Sequence, residues 1–231
     1  MKAANRTRRF TRLLAGAITA AAIFAVNPAS ADTGYEESAA APFQNSNQLE
    51  DCRSYYSTAN CSARAKANVN DGRMVVNSSV KTNNGGLTPG SGWSNGTADL
   101  FQTFYVPAPV SRLHITAVFE LDSASVDSSV PSIGNTGRQG FVELRLSAVC
   151  DGDCLGDSVQ TVATIKDGNV HVGRTGYALE TEVANSDGSP VQGYVYIWFD
   201  LTAYANVGQL GVGAVDAAAH GHLLSIEARS F

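Results

Sequence analysis

"FVELRLSAVC", residues Phe141 to Cys150, decides the fold. Val142, Leu144, Leu146 and Ala148 fall on one side of an extended chain, and Glu143, Arg145 and Ser147 on the other. Successive side chains of a β-strand point to opposite faces, so this alternation marks a strand with one face on a core. The same rule runs through "SRLHITAVFEL" (Ser111 to Leu121), where Leu113, Ile115, Ala117, Phe119 and Leu121 share a face opposite His114, Thr116 and Glu120. It returns in "YVYIWFDL" (Tyr194 to Leu201): Val195, Ile197, Phe199 and Leu201 alternate with Tyr194, Tyr196, Trp198 and Asp200. Between such runs lie "DSSVPSIGNTG" (Asp127 to Gly137), "KDGN" (Lys166 to Asn169) and "NSDGSP" (Asn185 to Pro190), which carry turn chemistry. There is no convincing amphipathic helix and no internal repeat. Many strands without helical crossovers predict an all-β fold, an antiparallel β-sandwich of jelly-roll type spanning residues 70–231.

The N-terminus predicts the compartment. Lys2, Arg6, Arg8, Arg9 and Arg12 precede the uncharged run Leu13 to Val26, and Ala29-Ser30-Ala31 supplies small residues for cleavage before Asp32. Basic region, apolar core and A-x-A site, in that order, are the marks of a secretory signal peptide over residues 1–31. The apolar run is short for a membrane span, which needs about twenty residues. Arg8-Arg9 raises the twin-arginine route, but Phe10 follows one place early, so general export is the expectation. Removing those five basic residues moves the formal charge from −5 to −10. So acidic a chain lacks the footprint of a nucleic-acid or anionic-membrane binder. The mature protein is expected to be secreted and extracellular, with no membrane attachment.

Export also sets the reading of the four cysteines, because an oxidising compartment favours disulfides. Their spacing makes two local bridges, Cys52–Cys61 and Cys150–Cys154, the simplest of three connectivities. Metal ligation is the rival reading of "CDGDC" (Cys150 to Cys154). Residues 32–69 read as a loose N-terminal arm, with room for a short helix in Leu49 to Ala67; Asn83 to Gly96 reads as a loop.

"ADLFQTFYVP" (Ala98 to Pro107) leads into the strand that ends near Phe119. Its Gln102, Phe104, Val106 and Pro107 resemble the Gln-x-Phe-x-Val-Pro of early strands in galactose-binding-like jelly-roll domains. The resemblance implies a jelly-roll sandwich; such domains commonly bind carbohydrate, but the family's ligand loops have no counterpart in this sequence. The matching residues are core and turn residues, so it brings no ligand contacts with it.

Several motifs invite chemistry. His220 and His222 sit one residue apart, close enough on a strand to share a metal, and with Gly213 and Glu227 they resemble the first cupin metal motif. The Gly213–His220 spacing is one residue too long, and Glu227 reaches the histidines' face only through a bulge. The expectation is no metal and no cofactor, with both histidines capping a core-facing row of Leu224, Ile226 and Ala228. Ser94 in "GWSNG" (Gly92 to Gly96) fits G-x-S-x-G, but it lacks the strand-to-helix elbow that exposes such a nucleophile. Glu120/Asp122 and Glu180/Glu182 are same-face carboxylate pairs of the kind a glycosidase needs. Glu120-Leu121-Asp122 also resembles the start of the laminarinase-type Glu-x-Asp-x-x-Glu, whose last acid is missing here; solvated strand faces account for both pairs. Asp151, Asp153 and Asp157 crowd one short stretch, where a calcium site competes with a stapled hairpin tip.

Tyr194, Tyr196 and Trp198 remain, with Asp200 as a polar neighbour. If the alternate residues face the core, the aromatics form a row at steps of about 7 Å, a ligand-binding platform suited to the CH-rich faces of sugars. The competing reading buries the row under the N-terminal arm. The sequence therefore predicts a secreted, non-catalytic module for carbohydrate or a cell-surface polymer. A structural surface protein and, behind it, a small secreted hydrolase are the alternatives.

Overall fold

A computed structural model describes residues 34–55, 59–82, 90–129, 140–165, 168–211 and 213–231. The expected signal peptide, residues 1–31 with cleavage after Ala31, lies outside the described residues, as does most of the Asp127–Gly137 turn. The fold is all-β, with strands β1 (Glu36–Ala40), β2 (Asn45–Tyr55), β3 (Ala59–Asn68), β4 (Arg73–Thr82), β5 (Gly90–Val110) and β6 (Leu113–Ser128) in the first half. The second half supplies β7 (Gly140–Cys150), β8 (Leu155–Ile165), β9 (Gly168–Val172), β10 (Thr175–Val183), β11 (Val191–Gly211) and β12 (Ala214–Ser230). Two antiparallel sheets result. A seven-stranded sheet runs β10-β6-β12-β4-β3, with β1 on β12 and β9 on β6; a five-stranded sheet runs β2-β5-β11-β7-β8.

The sandwich follows from the alternation. Every core-side residue of the three alternating runs is fully buried: Leu113 to Leu121, Val142 to Ala148 and Val195 to Leu201, taken at every second position. Phe119 of β6 and Phe199 of β11 meet between the sheets with ring centroids 5.3 Å apart. Phe104, Met74 and Leu100 pack into the same core. Offset aromatic pairs of this kind add to the stabilisation from area burial alone.

Residues 32–69 depart from the expected loose arm: β1 pairs with β12, β2 with β5 and β3 with β4, and no helix forms among the described residues. The sandwich therefore begins near Glu36 rather than at residue 70. Both signals were weak for physical reasons. β2 is an edge strand with scarcely a buried residue, so backbone hydrogen bonds to β5, the Cys52–Cys61 bridge and the Glu50 carboxylate on the Ala65 amide hold it, not apolar burial. In β3 the inward positions are Ala59, Cys61, Ala63, Ala65 and Ala67, and alanine favours helix by propensity. Tertiary pairing overrides that preference.

The Asn83–Gly96 loop is likewise shorter than expected, since β5 starts at Gly90. Residues 83–89 lie outside the described residues. Gly92 and Gly96, read there as loop, are close-approach positions within a strand. A Cβ on Gly96 would sit 2.8 Å from the Arg64 carbonyl oxygen and 3.1 Å from that of Asn77. Glycine thus lets this end of the two sheets close together.

Both expected disulfides form, Cys52–Cys61 with Cα atoms 5.8 Å apart and Cys150–Cys154 with 5.5 Å. The first ties β2 of one sheet to β3 of the other. Among the described residues no cysteine is free, and no helix is long and apolar enough to cross a membrane.

Candidate binding face

The two outer faces of the sandwich differ in chemistry. On the seven-stranded sheet, several acids face basic side chains. Arg112 meets Glu182 at 3.5 Å, His114 meets Glu180 at 3.7 Å and His171 meets Asp127 at 3.2 Å, while Arg174 bonds Glu120. The Glu120/Asp122 and Glu180/Glu182 pairs are part of this lattice, each acid facing a basic partner.

His220 and His222 also belong here, and their placement corrects the expected core-facing row. Leu224 is a bulge residue: the register shifts between Leu223 and Ser225, and Leu224 itself is 42% exposed. The bulge inverts the phase of the strand. Ala219 and Leu223 face the core before it, Ile226 and Ala228 after it, and both histidines point outward. His222 Nε2 lies 3.4 Å from Asp122, and His220 Nδ1 lies 3.1 Å from the Ser123 hydroxyl. The same bulge brings Glu227 to the outer face, where Arg229 Nη2 donates to it at 3.0 Å.

The five-stranded sheet is different. Of the eight large apolar residues exposed among the described residues, six lie on its strands: Leu49, Tyr55, Tyr105, Leu155, Val159 and Tyr194. Such concentration on one face marks an interaction surface better than exposure scattered singly. Tyr194 is 49% exposed, and Tyr196 and Trp198 are half-buried; the described residues of the N-terminal region, Glu36–Ala40 and Asn45–Tyr55, form strands in the sheets instead of covering the row. β5 contributes rings beside it. Tyr105 lies opposite Tyr194 with centroids 5.1 Å apart, and Phe101 lies 5.2 Å from Trp198 and 6.3 Å from Tyr196. Tyr196 links the ladder, 6.3 Å from Tyr194 and 6.5 Å from Trp198.

Asp151 fixes one end of the ladder. Its carboxylate accepts from the Tyr194 amide at 3.0 Å and from the Tyr196 hydroxyl at 3.0 Å. Gly193 permits this approach: its φ is 98°, and a Cβ there would stand 3.1 Å from Asp151 Oδ2. Asp153 accepts instead from the Ser186 hydroxyl at 2.7 Å. Asp157 takes two bonds from Arg145, at 2.8 and 2.9 Å, and one from Ser147. The three acids of the candidate calcium loop are thus drawn apart. No cluster of three or more His, Cys, Asp or Glu suited to a metal ion occurs among the described residues.

Beyond Trp198 the face turns polar. Asp200 of β11 stands directly opposite Asp99 of β5, with Arg145 of β7 on its other side and Asn47 of β2 beyond Asp99. Burial, and then the Asp99 charge, push the Asp200 carboxyl up to about 7 against the pull of Arg145. Burial also raises Asp99, against a hydrogen bond from Asn47. Asp99 Oδ1 is buried without a hydrogen-bond partner. One step further, the Thr97 and Thr202 hydroxyls bond at 3.1 Å. The far end is aromatic again, with Phe141 stacked on Tyr204 at 5.0 Å and Trp93 beneath the Arg53 guanidinium. A groove of about 400 Å³ crosses this region, lined by Trp93, Phe141, Glu143, Arg145, Asp200 and Tyr204 among others.

Ser94, the G-x-S-x-G serine, faces inward and is fully buried, and its hydroxyl donates to the Ser62 carbonyl. It is a structural bond between the sheets. Sequence reasoning passes over Asp99, Phe101 and Tyr105, although alternation in "ADLFQTFYV" (Ala98 to Val106) places them opposite buried Leu100, Phe104 and Val106. What links them to β11 is the register Asp99↔Asp200, Phe101↔Trp198 and Tyr105↔Tyr194.

No protein-family model matches the chain. No curated protein matches it either. Among solved structures, the enzymatically active domain of tailspike protein 4 of bacteriophage CBA120 aligns at 14% identity over 73% of this chain and 20% of that one. The TM-score of 0.20 is too low for this likeness to carry any argument about fold or activity.

Proposed function

We propose that this chain is a secreted, non-catalytic module that binds carbohydrate or a cell-surface polymer on the outer face of its five-stranded sheet. One observation carries the reading: Tyr105, Tyr194, Tyr196, Phe101 and Trp198 form a continuous ladder of rings on a face that the described residues leave uncovered. Rings at such spacing stack on successive sugar rings and keep their polar edges wet. Asp200 and the hydroxyls of Thr97 and Thr202 add hydrogen-bonding groups alongside. The leader-like residues 1–31 and the two disulfides support export. The galactose-binding-like resemblance falls in β5, where Phe104 and Val106 are buried and Phe101 and Tyr105 join the ladder. It supports the jelly-roll reading of the fold.

A pull-down on insoluble polysaccharides and cell walls tests this. The wild type is expected to sediment with at least one of them. Trp198→Ala is expected to weaken binding by about 2 kcal/mol, roughly thirty-fold, as loss of a central tryptophan anchor does. Failure of the wild type to bind any glycan, or equal binding by the variant, refutes the platform. The structural-protein reading draws on one further feature, the edge strand β8 with Leu155 70% and Val159 53% exposed. It predicts concentration-dependent self-association in sedimentation velocity instead of glycan binding.

A further inference from the structure

We propose that Asp151 is the positioning residue of the aromatic ladder: it acts through the Tyr196 hydroxyl to hold the Tyr194–Tyr196 end in the arrangement a glycan stacks on. The inference rests on the glycan-binding reading and adds what sets the affinity of that face. Cys150, the last residue of β7, pairs with Val195, and Asp151 lies just beyond it at the tip of the β7–β8 hairpin. Its amide donates to the Tyr194 carbonyl at 3.1 Å. Its carboxylate spans the two tyrosines, Oδ2 accepting from the Tyr194 amide and Oδ1 from the Tyr196 hydroxyl, each at 3.0 Å. The hydroxyl bond favours the protonated phenol and so raises the pKa of Tyr196.

The carboxylate is itself held from behind. The Cys150–Cys154 bridge closes the tip, and Cys154 pairs with Asn185 of the β10–β11 connection. There the Ser186 amide and hydroxyl donate to Asp153, at 3.2 and 2.7 Å. The Asn185 side chain donates to the Ser189 and Pro190 carbonyls. Gly152 leaves no room for a side chain, since a Cβ would stand 2.8 Å from Asn185 Oδ1. β11, by contrast, begins irregularly, its register on β5 shifting between Val191 and Gly193. Tyr194 sits one residue past that irregularity, where an anchor outside the β5 pairing has most to fix. A partly exposed tyrosine loses side-chain freedom when a ligand stacks on it, which costs affinity. A ring already tethered at its hydroxyl has lost that freedom on folding.

The test is a double-mutant cycle of wild type, Asp151→Ala, Tyr196→Phe and the double variant, with insoluble cellulose, chitin and purified cell walls as probes. Asp151→Ala is expected to weaken binding about fivefold to tenfold. In the Tyr196→Phe background the same substitution is expected to cost clearly less, because the hydroxyl it acts through is gone. A residue that only supports the fold, or one that touches the glycan directly, weakens binding equally in both backgrounds. A second readout needs no ligand. In an ultraviolet titration of the phenols, the Tyr196 curve is the difference between proteins with and without its hydroxyl. That curve is expected to move to lower pH in Asp151→Ala. Circular dichroism checks folding, and Asp151→Asn, close in shape, takes the same place in the cycle if Asp151→Ala does not fold. A Tyr196 curve that stays in place, or equal losses in the two backgrounds, overturns the positioning role while leaving the glycan face standing. A wild type retained on none of the probes overturns the reading of the face and the positioning role together.

Discussion

Phe199→Ala is expected to cost about 3–5 kcal/mol of folding stability, a large share of the total for a domain of this size. Phe199 is fully buried, lies at the middle of β11 and stacks on Phe119 across the sandwich. Truncation loses the transfer energy of the ring and leaves a cavity that two long, doubly flanked strands cannot collapse to fill. Urea denaturation checks this: the midpoint should fall sharply with the slope nearly unchanged. A loss below about 1 kcal/mol would mean that the two sheets do not pack here as described.

Asp200→Asn is expected to act in the opposite direction, and only at higher pH. The folded protein holds the Asp200 carboxyl near 7, chiefly through burial and then through Asp99; an unfolded aspartate ionises near 4. Below about pH 4 the group is protonated in both states and contributes nothing. As pH rises towards 7 the unfolded chain releases a proton that the folded chain retains, so stability falls, and above about 7 the whole penalty is present. That penalty is on the order of 4 kcal/mol before the side chain and nearby water relax. Asparagine cannot ionise. The variant should therefore gain about 2 kcal/mol at about pH 8, or roughly 4–8 °C in Tm, and nothing at about pH 4. Thermal melts at the two pH values check this, and a gain independent of pH would contradict it. A stabilising substitution at a surface groove is what a site kept for ligand rather than for folding predicts.

The fold was legible because its signal is local. Alternation in Leu113–Leu121, Val142–Ala148 and Val195–Leu201 is written by the burial of one sheet face, and burial followed it residue by residue. Edge strands escape that logic. β2 buries almost nothing, and β3 turns alanines inward, so neither carries the contrast that periodicity reads. Bulges escape it too. A single extra residue at Leu224 turned His220 and His222 outward, which no pattern in "HGHLLSIEA" (His220 to Ala228) announces. The candidate site was half legible for the same reason. Tyr194, Tyr196, Trp198 and Asp200 share one strand, so their common face is fixed by counting. Asp99 lies about a hundred positions earlier, and its meeting with Asp200 depends on cross-strand register, a long-range property that turn geometry and core packing set together.

Both tryptophans of the chain, Trp93 and Trp198, lie on the outer face of the five-stranded sheet. Their fluorescence therefore reports directly on what touches it. Titration of the folded protein with soluble linear glycans tests the central claim most directly. The account predicts a saturable change in emission with at least one glycan, abolished or strongly right-shifted in Trp198→Ala while the circular dichroism spectrum stays that of the wild type. Emission that does not respond to any glycan, or a response that is the same in Trp198→Ala, would contradict it.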